Sequence, residues 1–235
     1  MKNPKIIYED NDIIVCYKPA GIATQTRRIG QQDMESFIRN YRAAKNEPPY
    51  VGIVHRLDQP VEGVMVFAKN QKAAASLSRQ IKEHTTEKYY HAASRGHGVS
   101  GADNKEDNHD PAWHTLTDYI SFDKRTNTSK ITSEKDRQAK KAVLQYRILS
   151  NECNKTEFDI KLLTGRHHQI RLQLANIGYP LIGDTKYGKP ASNNSGTGNV
   201  AGRTGSCVRE QLALCSYKLV FDHPATGERM TFELP

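Results

Sequence analysis

No stretch of this sequence is both long and apolar. The longest comparable run, GVMVFA at 63–68, falls far short of the roughly 20 apolar residues that cross a bilayer as a helix. The N-terminus carries Glu9, Asp10 and Asp12 where a secretion signal needs unbroken apolar residues. Cysteine is scarce: Cys16, Cys153, Cys207 and Cys215 form no CxxC pair and no regular spacing, which argues against a zinc ribbon or a disulfide framework. Idle thiols in a reducing, cytoplasmic setting are the expectation. No glycine-rich phosphate loop opens any helical segment. Acids are outnumbered, 26 Asp and Glu against 34 Lys and Arg, for a formal charge of +8. Such a balance favours polyanionic partners, because each Lys or Arg that neutralises a phosphate releases condensed counterions.

What is present is the pattern of a globular chain, with 37% hydrophobic residues in a length of 235 that buries a core without covalent staples. KIIYE at 5–9 and IIVCYK at 13–18 read as a hairpin turning at 10–12. Met34, Phe37, Ile38 and Tyr41 at helical spacing predict a helix over 33–47, stopped by Pro48 and Pro49. GVMVFAK at 63–69 predicts a buried strand and Asn70 an N-cap. Ala73, Ala74, Leu77 and Ile81 form the inner face of the following helix, with Lys72, Arg79 and Lys82 on a solvated outer face. KYYHAAS at 88–94 alternates like a strand. The polar stretches 95–113 and 121–141 read as irregular, the second a solvated loop that could also track a phosphate backbone.

AVLQYRILS and TEFDIKLLT predict two antiparallel strands, the latter pointing Phe158, Ile160 and Leu162 one way. RHHQIRLQLANIG at 166–178 predicts a helix with Ile170, Leu174 and Ile177 buried and Gly178 as its terminator. Segment 188–206 is rich in Gly, Ser and Asn and reads as a flexible loop. LALCSYKLVFD and RMTFELP close the chain as strands around the turn HPATGE. With no internal repeat and no interdomain linker, 1–235 reads as a single α+β domain.

VHRLDQPVEG at 54–63 raises the chemical question. In an extended segment Arg56 and Asp58 emerge on one face, so a guanidinium stands beside a carboxylate and keeps it ionised. On the helix predicted over 166–178, His167 and Arg171 share a face. Packed against the HRLD segment, that helix would bring a second arginine to the same acid. Four letters alone read more readily as a surface ion pair than as a catalytic group.

The motifs in their order say more. NDIIVCYKPAG at 11–21, VHRLDQPVEGVMVFAKN at 54–70, EKYYHA at 87–92, LLTGRHHQIRLQLANIGYPLIGDTKYG at 162–188 and LALCSYKLVFDHPATGE at 212–228 together resemble the RluA-type pseudouridine synthases. The resemblance implies a mixed, mostly antiparallel sheet with peripheral helices and an active-site cleft. It implies isomerisation of specific uridines in ribosomal or transfer RNA, with the target base flipped out of its stack. It makes Asp58 the essential group, Tyr90 the aromatic that stacks on the base and a candidate to assist proton removal at C5, and Arg171 the partner of the aspartate. Arg56 is associated with opening the RNA, and His55, Lys88, Arg166, His168 and Gln169 fall beside it as substrate-binding positions. His167 and His168 are structural or RNA-contacting, not metal ligands. Neither a cofactor nor a metal is expected, and the protein is expected to act as a monomer on RNA, away from membranes.

The sequence departs from the family pattern at Val61 and Glu62, at Leu144 and at Gln173. The protein is expected to lack the N-terminal S4-like RNA-binding domain of many relatives, so the basic loops, with Lys124, Arg125, Lys140 and Lys141, are expected to hold the RNA. Two other readings compete. A catalytically silent RNA-binding relative would have lost the aspartate, and a carboxylate glycosidase would pair Asp58 with a second acid such as Glu62.

Overall fold

The computed structural model describes residues 3–26, 28, 30–95, 110–152, 155–188 and 210–235, with side chains from residue 112 onward in the second long stretch. Strands β1 (Lys5–Glu9) and β2 (Ile13–Lys18) form the first hairpin. Its turn is closed by Asp10, whose carboxylate accepts the backbone N–H groups of Asp12 and Ile13 at 2.8 and 2.9 Å. Helix α1 (Met34–Ala44) starts in a capping box between Asp33 and Ser36. It ends before the two prolines, at Lys45, and Asn46 follows in the left-handed region at φ 58°. After the short β3 (Gly52–Ile53), strand β4 (Glu62–Ala68) leads into α2 (Gln71–Lys82). Asn70 caps α2 by accepting the Ala73 N–H at 2.8 Å.

The remaining elements are β5 (Glu87–Arg95), β6 (Asp110–Asp123), β7 (Thr128–Thr132), β8 (Lys140–Glu152), β9 (Lys155–Leu162), α3 (Gln169–Asn176), β10 (Leu214–Asp222) and β11 (Arg229–Glu233). All strands belong to one sheet, ordered β1-β2-β4-β10-β5-β9-β8-β6-β7, with β11 on β10 and β3 on β4. The β4–β10 pair is parallel and the other described pairs are antiparallel. The architecture is therefore the expected α+β fold with a mixed, mostly antiparallel sheet. Among the described residues no helix is long and apolar enough to cross a membrane.

Strand alternation divides the core between the two faces. Met65 and Phe67 of β4 join Ile14, Cys16, Phe158 and Ile160 on one face, under α1 and the start of α3. Val64, Val66 and Ala68 join Ile13, Val15 and the α2 residues Ala73 and Leu77 on the other. Burial on both faces explains why β4 reads as an unbroken apolar run. Phe158, Ile160 and Leu162 do share one face, as their spacing predicts. Leu144 is wholly buried in the same core.

Three expectations fail. The stretch 121–141 is not an irregular loop: β6 runs to Asp123, β7 occupies Thr128–Thr132 and β8 begins at Lys140. From 110 onward the stretch 95–113 also joins β6, and 96–109 lie outside the described residues. These strands carry few apolar side chains because they form one end of the sheet. Ladder pairing with β8 and a small core of Ile120, Ala142 and Leu172 hold them. Gln173 belongs to this packing, donating to Asp118 Oδ2 at 2.7 Å. The helix predicted over 166–178 is also shorter, because His168 takes a left-handed conformation, φ 54°, and α3 starts only at Gln169. Residues 189–206 of the expected flexible loop, Cys153 and Cys207 lie outside the described residues.

Candidate active site

The HRLD segment is an irregular connection between β3 and β4, held by its backbone. Thr24 Oγ1 donates to the Leu57 carbonyl at 3.0 Å and accepts the Leu57 N–H at 3.2 Å. Leu57 is buried in the core. The Lys18 ammonium, fully buried, donates to the carbonyls of Pro19, Ile22 and Gln59 at 3.1, 2.6 and 3.2 Å. His55 Nε2 accepts the Val66 N–H of β4 at 3.1 Å, so this ring latches the segment to the sheet. Burial, then the charge on Lys88, holds His55 down to about 3, which keeps it neutral and suited to that acceptor role. Gly63 lets β4 and β10 meet: at φ 145°, a Cβ there would lie 2.4 Å from the Ser216 carbonyl oxygen.

So anchored, the segment presents Asp58 with its side chain 32% exposed. Arg56 is exposed, and because this stretch is not a strand the strand-face argument for pairing it with Asp58 does not apply. The arginine that does approach is Arg171, 4% exposed, with Nη1 3.8 Å from Asp58 Oδ2. Its main partner is Asp184, which accepts from Nε at 2.8 Å and Nη2 at 2.7 Å. This two-pronged pair fixes the guanidinium plane. Asp184 is oriented in turn by the backbone N–H groups of Lys186 and Tyr187 at 2.8 and 3.1 Å. Burial works against both charges, yet Arg171 stays above its ordinary pKa through Asp184 and then Asp58, and Asp184 below its own, chiefly through Arg171.

Asp58 is balanced differently. Burial raises its carboxyl pKa, and Arg171, His167, Lys18 and Lys186 pull it back only in part. Burial likewise draws Lys18 down to about 8, against Asp58 and Glu62. A carboxyl raised in this way is the type of group that cleft chemistry uses.

The two histidines do not lie on opposite sides of a helix. Their ring centroids lie 3.7 Å apart with the planes tilted by 30°, His167 packs against Phe122 at 4.3 Å, and His168 Nε2 lies 3.6 Å from Asp58 Oδ2. Tyr90, on β5, packs in the core at 6% exposure. Burial first, then the Asp58 charge, pushes its hydroxyl well above the usual tyrosine value despite a bond to Ser216, so it is a neutral phenol. Lys88 shares the Tyr90 face of β5 by alternation, and its Nζ would lie 3.8 Å from a Cβ on Gly165. Burial lowers the pKa of Lys88. Gln169 is directed to its own turn, where Oε1 accepts from Thr164 at 2.8 Å and from the Arg166 N–H at 3.0 Å. Arg166 Nε donates to the Lys141 carbonyl at 2.9 Å.

The structure therefore brings Asp58, Arg171 and His168 together and gives His55 and Gln169 backbone-holding contacts. Asp184, Tyr187 and Lys18 are functional neighbours that the site reading missed, although GDTKYG and KPAG contain them. A cavity of about 330 Å³ beside Arg171 is lined by Gly21, Pro60, Gly183 and Leu212. A larger one of about 490 Å³ involves Glu62, His91, Phe158 and Cys215 and does not reach Asp58. Glu62 accepts from the Tyr17 hydroxyl at 2.5 Å and lines that other cavity, a poor placement for a second catalytic acid. Among the described residues one cluster has metal-ligand character, Asp10, Asp12 and His223. It sits at the β1–β2 turn, where Tyr8, His223 and Asn70 already bond its carboxylates.

Comparison with known proteins places the chain in a family. The family model for RNA pseudouridylate synthase matches residues 12–176. The chain is similar to ribosomal large subunit pseudouridine synthase D of Vibrio cholerae, 32% identical, over 98% of this chain and 66% of that protein. It is 34% identical to the Pseudomonas aeruginosa protein of the same name, over 98% of this chain and 68% of that one. Relatives from Neisseria meningitidis are longer still, and the chain spans 57% of their length. Among solved structures, human RNA pseudouridylate synthase domain containing 1 superposes with a TM-score of 0.68 at 25% identity, covering 99% of this chain and 83% of that one. Human RNA pseudouridylate synthase domain containing 4 superposes with a TM-score of 0.72 at 20% identity, covering 98% and 87%.

Proposed function

This chain belongs to the RNA pseudouridylate synthase family, and from that premise we propose that it isomerises uridine to pseudouridine in RNA. The observation that carries the reading is Asp58, partly buried, with the Asp184-clamped Arg171 at 3.8 Å. The bond from uracil N1 to ribose C1′ breaks, the freed base turns, C5 joins C1′, the proton on C5 leaves and N1 takes one up, so the isomerisation has no net proton change. Asp58 acts at the ribose in its ionised form, by attack at C1′ or by removal of a ribose proton. Arg171 favours that ionised form. Tyr90 meets the flipped base, and a neutral phenol suits stacking and hydrogen bonding better than direct proton abstraction. Arg56, exposed at the cleft, offsets the stacking that the target nucleotide gives up on leaving the helix, a cost of about a few kcal/mol.

The relatives' names favour large-subunit ribosomal RNA as the substrate. The same reading takes 1–235 as one catalytic domain acting as a monomer in the cytoplasm. The test is to treat ribosomal and transfer RNA from cells lacking this protein with the purified chain, then map pseudouridine by carbodiimide-dependent reverse-transcription stops. New stops in large-subunit RNA support the reading. Stops only in transfer RNA would move the substrate, and none in either would remove the activity.

A further inference from the structure

A second line of contacts in the cleft ends on the same carboxylate. The backbone N–H of Ser129, on β7, donates to the Tyr187 hydroxyl at 2.8 Å, and that hydroxyl lies 2.9 Å from His168 Nδ1. A phenol oxygen that already accepts the Ser129 N–H has its own proton to place; Ser129 Oγ, also near that hydroxyl, is engaged with His167 Nδ1 at 3.0 Å and the His167 carbonyl at 2.8 Å, which leaves His168 Nδ1 as the acceptor without another partner. The tautomer follows: Nδ1 is bare and Nε2 carries the hydrogen. Nε2 is the nitrogen that faces Asp58 Oδ2 at 3.6 Å. The left-handed backbone at His168 sets the direction of the ring, and His167 at 3.7 Å and the edge-on Tyr187 ring at 5.6 Å pack against it.

The ring is also uncharged. Burial, then Arg171, His167 and Lys186, holds His168 down to about 3 against the pull of Asp184. The groups facing Asp58 are Arg171 from α3, His167 and His168 from the turn before it, Lys18 from β2, Tyr90 from β5 and Lys186 from the segment after α3. Arg171 Nη1 and His168 Nε2 both approach the same oxygen, Oδ2, at 3.8 and 3.6 Å.

We propose that His168 is a positioning residue for Asp58, a neutral imidazole whose Nε2–H is aimed by Tyr187 and holds Oδ2, leaving Oδ1 for the ribose. The proposal rests on the reading that Asp58 is the reacting group. At 3.6 Å the contact is just outside hydrogen-bond range in the free protein. A shift of a few tenths of an ångström as substrate settles closes it, the usual behaviour of contacts that tighten on the reaction path. A protonated imidazole would neutralise the carboxylate, whereas a neutral N–H restrains it and leaves its charge available. Tyr187 is thus assigned to His168 and not to RNA.

The test uses the full chain labelled with ¹⁵N-histidine. Long-range ¹H–¹⁵N correlation at neutral pH should show His168 as the neutral Nε2–H form; an Nδ1–H form or an imidazolium would overturn the proposal. Tyr187→Phe should let the tautomers mix and move the acid limb of kcat/KM upward by about 0.5 to 1 pH unit, part of the roughly 1 to 2 units that a hydrogen bond to a charged group is worth. KM for RNA should hold. In His168→Gln the side-chain amide supplies an N–H without any tautomer to set, so adding Tyr187→Phe to it should move the limb no further. A Tyr187→Phe protein that loses rate with the limb unmoved would mark Tyr187 as merely structural and contradict the proposal. Asp58→Asn separates the two readings. If it keeps isomerase activity, the role of Asp58 is wrong. If it is inactive while Tyr187→Phe leaves tautomer and limb unchanged, only the His168 assignment falls.

Discussion

Arg171 engages Asp184 through Nε and Nη2, at 2.8 and 2.7 Å, and turns only Nη1 toward Asp58, 3.8 Å away. The arginine that approaches Asp58 is therefore held by a different carboxylate. Without Asp184, a guanidinium at 4% exposure would lose its neutralising partner and its orientation together.

Replacement of Asp184 by Asn should thus cost both stability and rate. Breaking a buried pair from one side destabilises by about 3 to 5 kcal/mol, measurable by urea denaturation. Arg171→Lys should retain the charge but lose the two-pronged geometry, so its rate should fall much further than its stability. Equal losses of stability and rate in both variants would mean that the pair serves only the fold.

Because burial leaves the Asp58 carboxyl above the usual aspartate value, activity that needs its ionised form should fail on the acid side at a higher pH than a solvent-exposed aspartate would dictate. Lys186 is one of the cations that oppose this rise. Removing it in Lys186→Met should move the acid limb of the rate profile further up. Lys186 is exposed, so the difference between variant and wild type should shrink as salt is added. A limb unmoved at low salt would separate Lys186 from Asp58.

The motifs made Asp58 and Arg171 legible in the sequence, and strand alternation made the central sheet legible through Met65, Phe67, Phe158 and Ile160. The link between Arg171 and Asp184 was not, because no periodicity joins a helix residue to a turn that follows it. The position of the His168 ring was hidden for another reason. Apolar spacing continues smoothly through 166–178, and nothing in it announces a left-handed residue that delays the helix to Gln169. Strands β6 and β7 escaped notice because they show polar side chains on exposed positions and bury only a small core around Ile120.

The first hairpin supplies an acid-stability prediction. Burial disfavours the charge on Glu9, but Lys45, Lys69 and Tyr41 outweigh it and hold the carboxyl down to about 2. A carboxyl depressed in the folded state stabilises above its unfolded pKa, and that contribution is lost as pH falls through the folded value. Stability should therefore decline between about pH 4.5 and 2. Glu9→Gln, followed by thermal melts across this range, should show a lower plateau and a shallower decline.

The basic residues at the β7 hairpin offer a binding prediction. Lys124 and Arg125 are exposed at the β6–β7 turn, and Lys140 and Lys141 are exposed at the start of β8. Neutralising all four should weaken RNA binding and flatten the plot of log affinity against log salt by about 0.7 to 0.9 for each phosphate that these cations neutralise in the wild type. A weaker affinity with the slope unchanged would place the phosphate path elsewhere.

The central claim, that Asp58 drives isomerisation of uridine in RNA, is tested most directly by tritium release from RNA labelled at uracil C5, comparing the wild type with Asp58→Asn. The account predicts release by the wild type and none by the variant, with both proteins folded and both binding RNA. Release by Asp58→Asn at the wild-type rate would contradict it.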